Sequence, residues 1–97
     1  MKLIWSPQAV ADREGIYDFI DAESPQSAIL VDDRIWNATL SLMRFPEIGR
    51  PGRIAGTREL VVQRTPYLVA YRIQDDRLRI LRILHGAQRW PKRLPHR

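Results

Sequence analysis

A histidine, an arginine and a tryptophan stand close together near the end of this chain: His85, Arg89 and Trp90. Histidine titrates near neutrality without help, so His85 can give or take a proton. Arginine carries a permanent charge on a planar fork that matches phosphate, and an indole face stacks on a base. Together the three suit a nucleotide. Plainer roles fit the same residues: a strand-end histidine can bond a backbone carbonyl, and Trp90 can lid a core. Further arginines lie upstream. Arg50 and Arg53 sit in a run rich in Gly and Pro, and Arg58 and Arg64 bracket the strand-like segment after it. Tyr67 and Tyr71 share one face of their strand, where core packing is the expected role of at least one.

The charge is split along the chain. Residues 1–43 hold three basic groups and seven acidic ones, and residues 44–97 hold thirteen and four, so −4 and +9 sum to the +5 of the whole. Only Lys2 and Lys92 among the sixteen basic residues are lysines. A basic half built almost wholly from Arg predicts a phosphate-bearing or strongly acidic partner.

Other chemistries are excluded or unsupported. Without Cys there is no disulfide scaffold, thiolate nucleophile or Cys-based metal site. Two His do not support a multi-His centre, so neither metal nor cofactor is expected. Gly49-Arg50-Pro51-Gly52 lacks the spacing and the Lys of a phosphate loop, and no nucleophile elbow is present. The carboxylates Asp12, Asp18, Asp21, Asp32 and Asp33 fall on helical segments and read mostly as a solvated face. No apolar run reaches the ~20 residues that cross a bilayer, and no signal-peptide pattern opens the chain. A cytoplasmic protein without membrane contact is the expectation.

These side chains need a frame. Lys2-Leu3-Ile4-Trp5 reads as a strand. Ser6-Pro7 then starts a helix to about Asp21, and Ser24-Pro25 starts a second over about 25–44. In the second, Ala28, Val31, Ile35, Ala38 and Leu42 form an apolar stripe widened by Ile29, Trp36, Leu40 and Met43. Residues 45–57 read as a loop. Strands follow at 58–64, 67–73 and 78–85, close enough in sequence to pair as an antiparallel meander. Simple alternation puts Leu81, Ile83 and His85 on one face of the last strand and Leu78, Ile80, Arg82 and Leu84 on the other. The tail from Gly86 reads as irregular. The result is one α+β domain over 1–97, in the order β-α-α-β-β-β. An N-terminal helical hairpin packs on a small antiparallel sheet whose other face is free to gather Arg.

That order, with Gly49-Arg50-Pro51-Gly52-Arg53, Gly56-Thr57-Arg58-Glu59-Leu60, Pro66-Tyr67-Leu68-Val69-Ala70-Tyr71-Arg72 and Ile80-Leu81-Arg82-Ile83-Leu84-His85-Gly86-Ala87-Gln88-Arg89-Trp90-Pro91, resembles the RelE/ParE superfamily of type II toxin–antitoxin toxins. The resemblance implies a small basic toxin neutralised by a cognate antitoxin. It reaches operator DNA only through the complex with that antitoxin. RelE-like members cleave mRNA on the ribosome without metal, the ribose 2′-OH attacking its own phosphate; ParE-like members inhibit DNA gyrase. Ribosome-dependent mRNA cleavage is the expected action, and gyrase inhibition is the alternative. In the first, Arg58 and Arg89 would meet phosphate charge and His85 would move the proton, while Arg50, Arg53, Arg64 and Trp90 would dock RNA. The chain departs from nuclease members in having Gly52 where some carry an acid and no paired Lys in that loop, which leaves His85 nearly alone for proton transfer.

Overall fold

Two Ser-Pro pairs start the helices. The computed structural model describes residues 1–95. Strand β1 (Lys2–Trp5) leads into α1 (Pro7–Asp21), and α2 is Pro25–Arg44. Ser6 and Ser24 cap them, each hydroxyl accepting a backbone N–H three residues on, at 3.0 Å from Ala9 and 3.2 Å from Ser27. Each Pro takes the first helical position, where a missing N–H loses nothing. The Ser6 hydroxyl also donates to the Leu81 carbonyl at 2.7 Å, so this cap fastens α1 to the sheet.

The stripe on α2 faces inward as its spacing requires. Ala28, Ile35 and Leu42 are fully buried, and Val31, Ala38 and Met43 pack against the same core. Ile29, Trp36 and Leu40 do not join it and stand exposed.

The sheet order is β1-β5-β4-β3-β2. Strands β3 (Arg58–Val61), β4 (Tyr67–Gln74) and β5 (Arg77–His85) form the expected meander, and the two-residue strand β2 (Arg50–Pro51) adds an edge within the expected loop. Strand β3 stops short of 64 because Arg64 turns the chain with φ 62°. Strand β1 runs parallel to β5, Leu3 beside Leu78 and Trp5 beside Ile80, so the sheet is mixed. The helical layer carries the return that a parallel pair demands.

Simple alternation fails in β5. Ala70 pairs with Arg82 and Tyr71 with Ile80, leaving Leu81 as the extra residue of a bulge. The phase of the strand slips there. Leu78, Ile80 and Ile83 all face the helices, while Leu81 packs with Ala70 on the opposite face. This is why apolar residues occur at both parities. Nor is the opposite face wholly free. Residues 86–95 hold no regular element, yet Trp90 and Leu94 fold back with Ile54 over Ala70 and Leu81.

Tyr67 and Tyr71 both belong to the helix-side core. The Tyr71 hydroxyl reaches the loop, donating to the Pro46 carbonyl at 2.7 Å and accepting from the Gly49 N–H at 3.0 Å. A Cβ at Gly49 would lie 2.5 Å from that oxygen, so the close approach requires glycine. Burial pushes the hydroxyl above its ordinary value of 10.0, partly opposed by the Gly49 bond and by Arg58. The folded state therefore holds the protonated phenol. Its contribution is complete below pH 10 and is lost as pH rises above it. Tyr71→Phe is expected to lower stability by about 1–3 kcal/mol at neutral pH, because the buried Gly49 N–H and the partly buried Pro46 carbonyl lose their partner. It should also flatten the alkaline decline, which urea unfolding at neutral pH and above pH 10 would measure.

Candidate functional site

The loop before β3 is built around one carboxylate. Glu59 is 2% exposed on the face away from the helices. It accepts the Arg53 backbone N–H at 2.8 Å and the Arg50 guanidinium at 3.2 Å, and the Arg53 Nε lies 3.7 Å away. The Arg53 guanidinium in turn covers the Trp90 ring, 3.8 Å from its centroid. Arg50, Arg53 and Trp90, expected as RNA-docking groups, are thus brought together, but around an internal acid. A carboxylate with this burial needs such partners, since an unpaired buried charge is strongly unfavourable.

Arg58 points elsewhere. Its Nη1 donates to the carbonyls of Glu47 at 3.2 Å and Gly49 at 2.8 Å, which closes the loop onto β3. Arg64 sits exposed at the tip of the β3–β4 turn, its carbonyl accepting from Arg34 at 3.2 Å. Arg89 is exposed on the tail and makes no hydrogen bond or ion pair among the described residues.

His85 ends β5, half-buried, with Tyr67 edge-on at 5.6 Å. Its Nδ1 accepts the Ala87 N–H at 3.0 Å, and its own backbone N–H donates to Gln88 Oε1 at 2.7 Å. With Nδ1 an acceptor, the neutral ring carries its proton on Nε2 and presents a donor. A cavity of about 290 Å³ beside it is lined by Asp12, Gly15, Phe19 and Gln88 among others, and no arginine lines it.

The sheet register measures the separation. Arg58 is level with Tyr71, and His85 is level with Tyr67 on the same strand. Rises of ~3.3 Å per residue and spacings of ~4.8 Å between strands put their Cα positions roughly 16 Å apart. The proposed phosphate and proton groups do not share a pocket.

Two further ion pairs escape sequence reasoning. Asp12 of α1 holds Arg82 of β5 through 2.6 and 2.9 Å bonds and also accepts the Ile83 N–H at 2.9 Å. Asp32 holds Arg13 at 2.7 and 2.9 Å, and that guanidinium lies near Trp5 and Trp36, 5.5 and 5.1 Å from their centroids. Both pairings hold the guanidinium above its ordinary value, the hydrogen bond to the acid being the largest cause. Asp12 and Asp32 are therefore not the solvated acids expected of their helices. The one available signal was Glu59, an acid inside a strand directly after Arg58.

Comparison with known proteins follows the fold. Residues 3–90 match the family model described as ParE toxin of type II toxin–antitoxin system, parDE. The chain is 39% identical over 91 residues to Y4kP of Sinorhizobium fredii, a protein described as a toxin, covering 94% of each chain. It is 38% identical over 87 residues to toxin RelE2 of Caulobacter vibrioides, covering 90% of this chain and 97% of the other. A solved structure of the chromosomal ParDE toxin–antitoxin system from P. aeruginosa superposes with a TM-score of 0.80 at 30% identity, covering 88% of this chain and 95% of that one.

Proposed function

The chain belongs to the ParE toxin family of type II toxin–antitoxin systems, and on that premise we propose that it arrests growth by gripping DNA gyrase and not by cutting mRNA on the ribosome. Cleavage by a 2′-OH needs a base at the ribose and a cation at the phosphate, both within about 2.6–3.2 Å of one substrate. The Cα positions of Arg58 and His85 lie roughly 16 Å apart by strand geometry, and no arginine lines the cavity beside His85, which carries the reading against cleavage. Two details support it. Arg58 is engaged by loop carbonyls, and the only ring nitrogen of His85 able to take a proton is already an acceptor. A binding toxin needs neither group assembled. It needs shape and charge.

Two assays test this together. Purified toxin should inhibit gyrase supercoiling, and His85→Ala should inhibit it equally well. Toeprinting on translating ribosomes should show no cut. Cleavage by wild type that His85→Ala abolishes would restore the nuclease reading and defeat this one.

A toxin of this class is neutralised by a cognate antitoxin. The helices offer that protein an apolar surface, with Phe19 77%, Ile29 53% and Leu30 49% exposed. No helix among the described residues is long and apolar enough to cross a membrane.

A further inference from the structure

The face of the sheet turned from the helices has a second half that the tail does not close. Arg72 and Arg79 are direct cross-strand partners there, in phase with Ala70 and Leu81. Their Cβ atoms are about 5 Å apart, and like charges placed directly opposite destabilise a sheet. Both Nε–H groups are buried with no acceptor among the described residues. No carboxylate among the described residues meets either side chain. Asp76 in the adjacent turn faces the amino terminus at 3.4 Å instead. The basic character continues along the same face. Lys2 is paired with Arg77 and Ile4 with Arg79, so Lys2 and Arg77 lie beside the pair, both exposed. Leu94 seats the tail over Ala70 and Leu81, which brings exposed Lys92 and Arg93 to this side as well.

The other half-buried arginines of the molecule each have a hydrogen-bond partner. Arg13, Arg50, Arg53 and Arg82 have carboxylate partners, and Arg58 has carbonyls. Here a repulsive pair is held rigid by strand pairing with nothing in the described chain to offset it. We infer that this face is a docking surface for the phosphate backbone of a nucleic acid, with Arg72 and Arg79 as its anchor. A phosphate bridging the two guanidiniums would turn their repulsion into a bidentate grip. Charge without apolar relief selects nucleic acid over an acidic peptide. Protein interfaces centre on apolar and aromatic groups. The large exposed apolar side chains lie mainly on the helices, at Phe19, Ile29, Leu30, Trp36 and Leu40, and only Met1 of that class adjoins this patch. A phosphate backbone needs no apolar centre and is read without regard to sequence.

Fluorescence anisotropy of the full-length chain tests this with labelled mixed-sequence duplex DNA and single-stranded RNA of equal length. Binding should weaken with salt, log K falling by roughly 0.9 per phosphate contacted per unit of log salt on the duplex. The double variant Arg72→Gln/Arg79→Gln should weaken binding about tenfold or more and make that slope shallower by about 2. Arg34→Gln/Arg44→Gln removes the same charge from the helical side and should stay within about twofold. Tighter binding of the duplex assigns the source as DNA, and tighter binding of the single strand assigns it as RNA. The melting temperature of the Arg72→Gln/Arg79→Gln variant should hold or rise, because a repulsive pair has gone. The inference falls if both double variants lose affinity equally, if a glutamate-rich peptide binds more tightly than either nucleic acid, or if removing the pair unfolds the protein.

Discussion

Glu59→Ala should unfold the loop before β3 and take much of the protein's stability with it. The substitution deletes the acceptor of the Arg53 N–H, the partner of Arg50, and the charge that holds Arg53 over Trp90. Breaking a buried pair typically costs about 3–5 kcal/mol. The two guanidiniums are about half exposed, 56% for Arg50 and 48% for Arg53, and can rehydrate once released. The lower end applies, about 3 kcal/mol, or roughly 12–24 °C in melting temperature for a domain of this size. Glu59→Gln keeps the shape and an acceptor for Arg53 while losing the charge, so it should fall between wild type and Ala. Thermal unfolding gives the size of the effect. Hydrogen exchange gives its location: the Arg53 amide should lose protection first. A Glu59→Ala protein that melts within a few degrees of wild type would show that the carboxylate is incidental.

The same residue explains where sequence reasoning reached its limit. Ser6-Pro7 and Ser24-Pro25 carry their capping chemistry in two adjacent letters, and the α2 stripe carries its own period, so both helices are legible without coordinates. The meander is legible because its strands are neighbours. The parallel pairing of β1 with β5 is not, because no local spacing encodes a partner so far along the chain. The bulge at Leu81 is invisible for a different reason. It inserts one residue into a run that is apolar at every second and third position, and only the register against β4 reveals the slip.

Charge counted along the chain misled most. The acidic and basic halves look like separate surfaces, yet the acidic half supplies Asp12 to Arg82 of the basic half and spends Asp32 on its own Arg13. Arg50 and Arg53 look like docking groups until Glu59 is seen to be buried between them. An arginine's role depends on which carboxylate the fold brings to it. Arg72 and Arg79, whose buried Nε–H groups meet no acceptor among the described residues, carried no signal beyond their type. The family resemblance is legible because fold and motif order extend over the chain, whereas the geometry of a site depends on single side chains.

Asp12→Ala is the second substitution with a large expected effect, and it acts at the other end of the molecule. The carboxylate receives three bonds, two from Arg82 and one from the Ile83 N–H, and joins residues 70 and 71 positions apart. It therefore locks α1 onto β5 just past the bulge, where β5 stays paired with β4 but no longer with β1. Its side chain is 16% exposed and that of Arg82 24%, so water reaches the pair only partly. Losing it leaves a charged donor and a backbone N–H without partners, about 2–4 kcal/mol together. Asp12→Asn can still accept from Ile83 and should lose about half of that. The double variant Asp12→Ala/Arg82→Met should be less destabilised than Asp12→Ala alone, because it removes the stranded guanidinium while keeping its apolar stem. Urea unfolding of the three variants checks this. A double variant worse than Asp12→Ala would mean that Arg82 contributes through packing and not through its acid. His85 provides an independent readout, since Asp12 and His85 line the same cavity. If α1 loosens, the imidazole NMR signals of His85 should shift in Asp12→Ala and stay near their wild-type positions in Glu59→Ala, whose damage lies on the far face of the sheet.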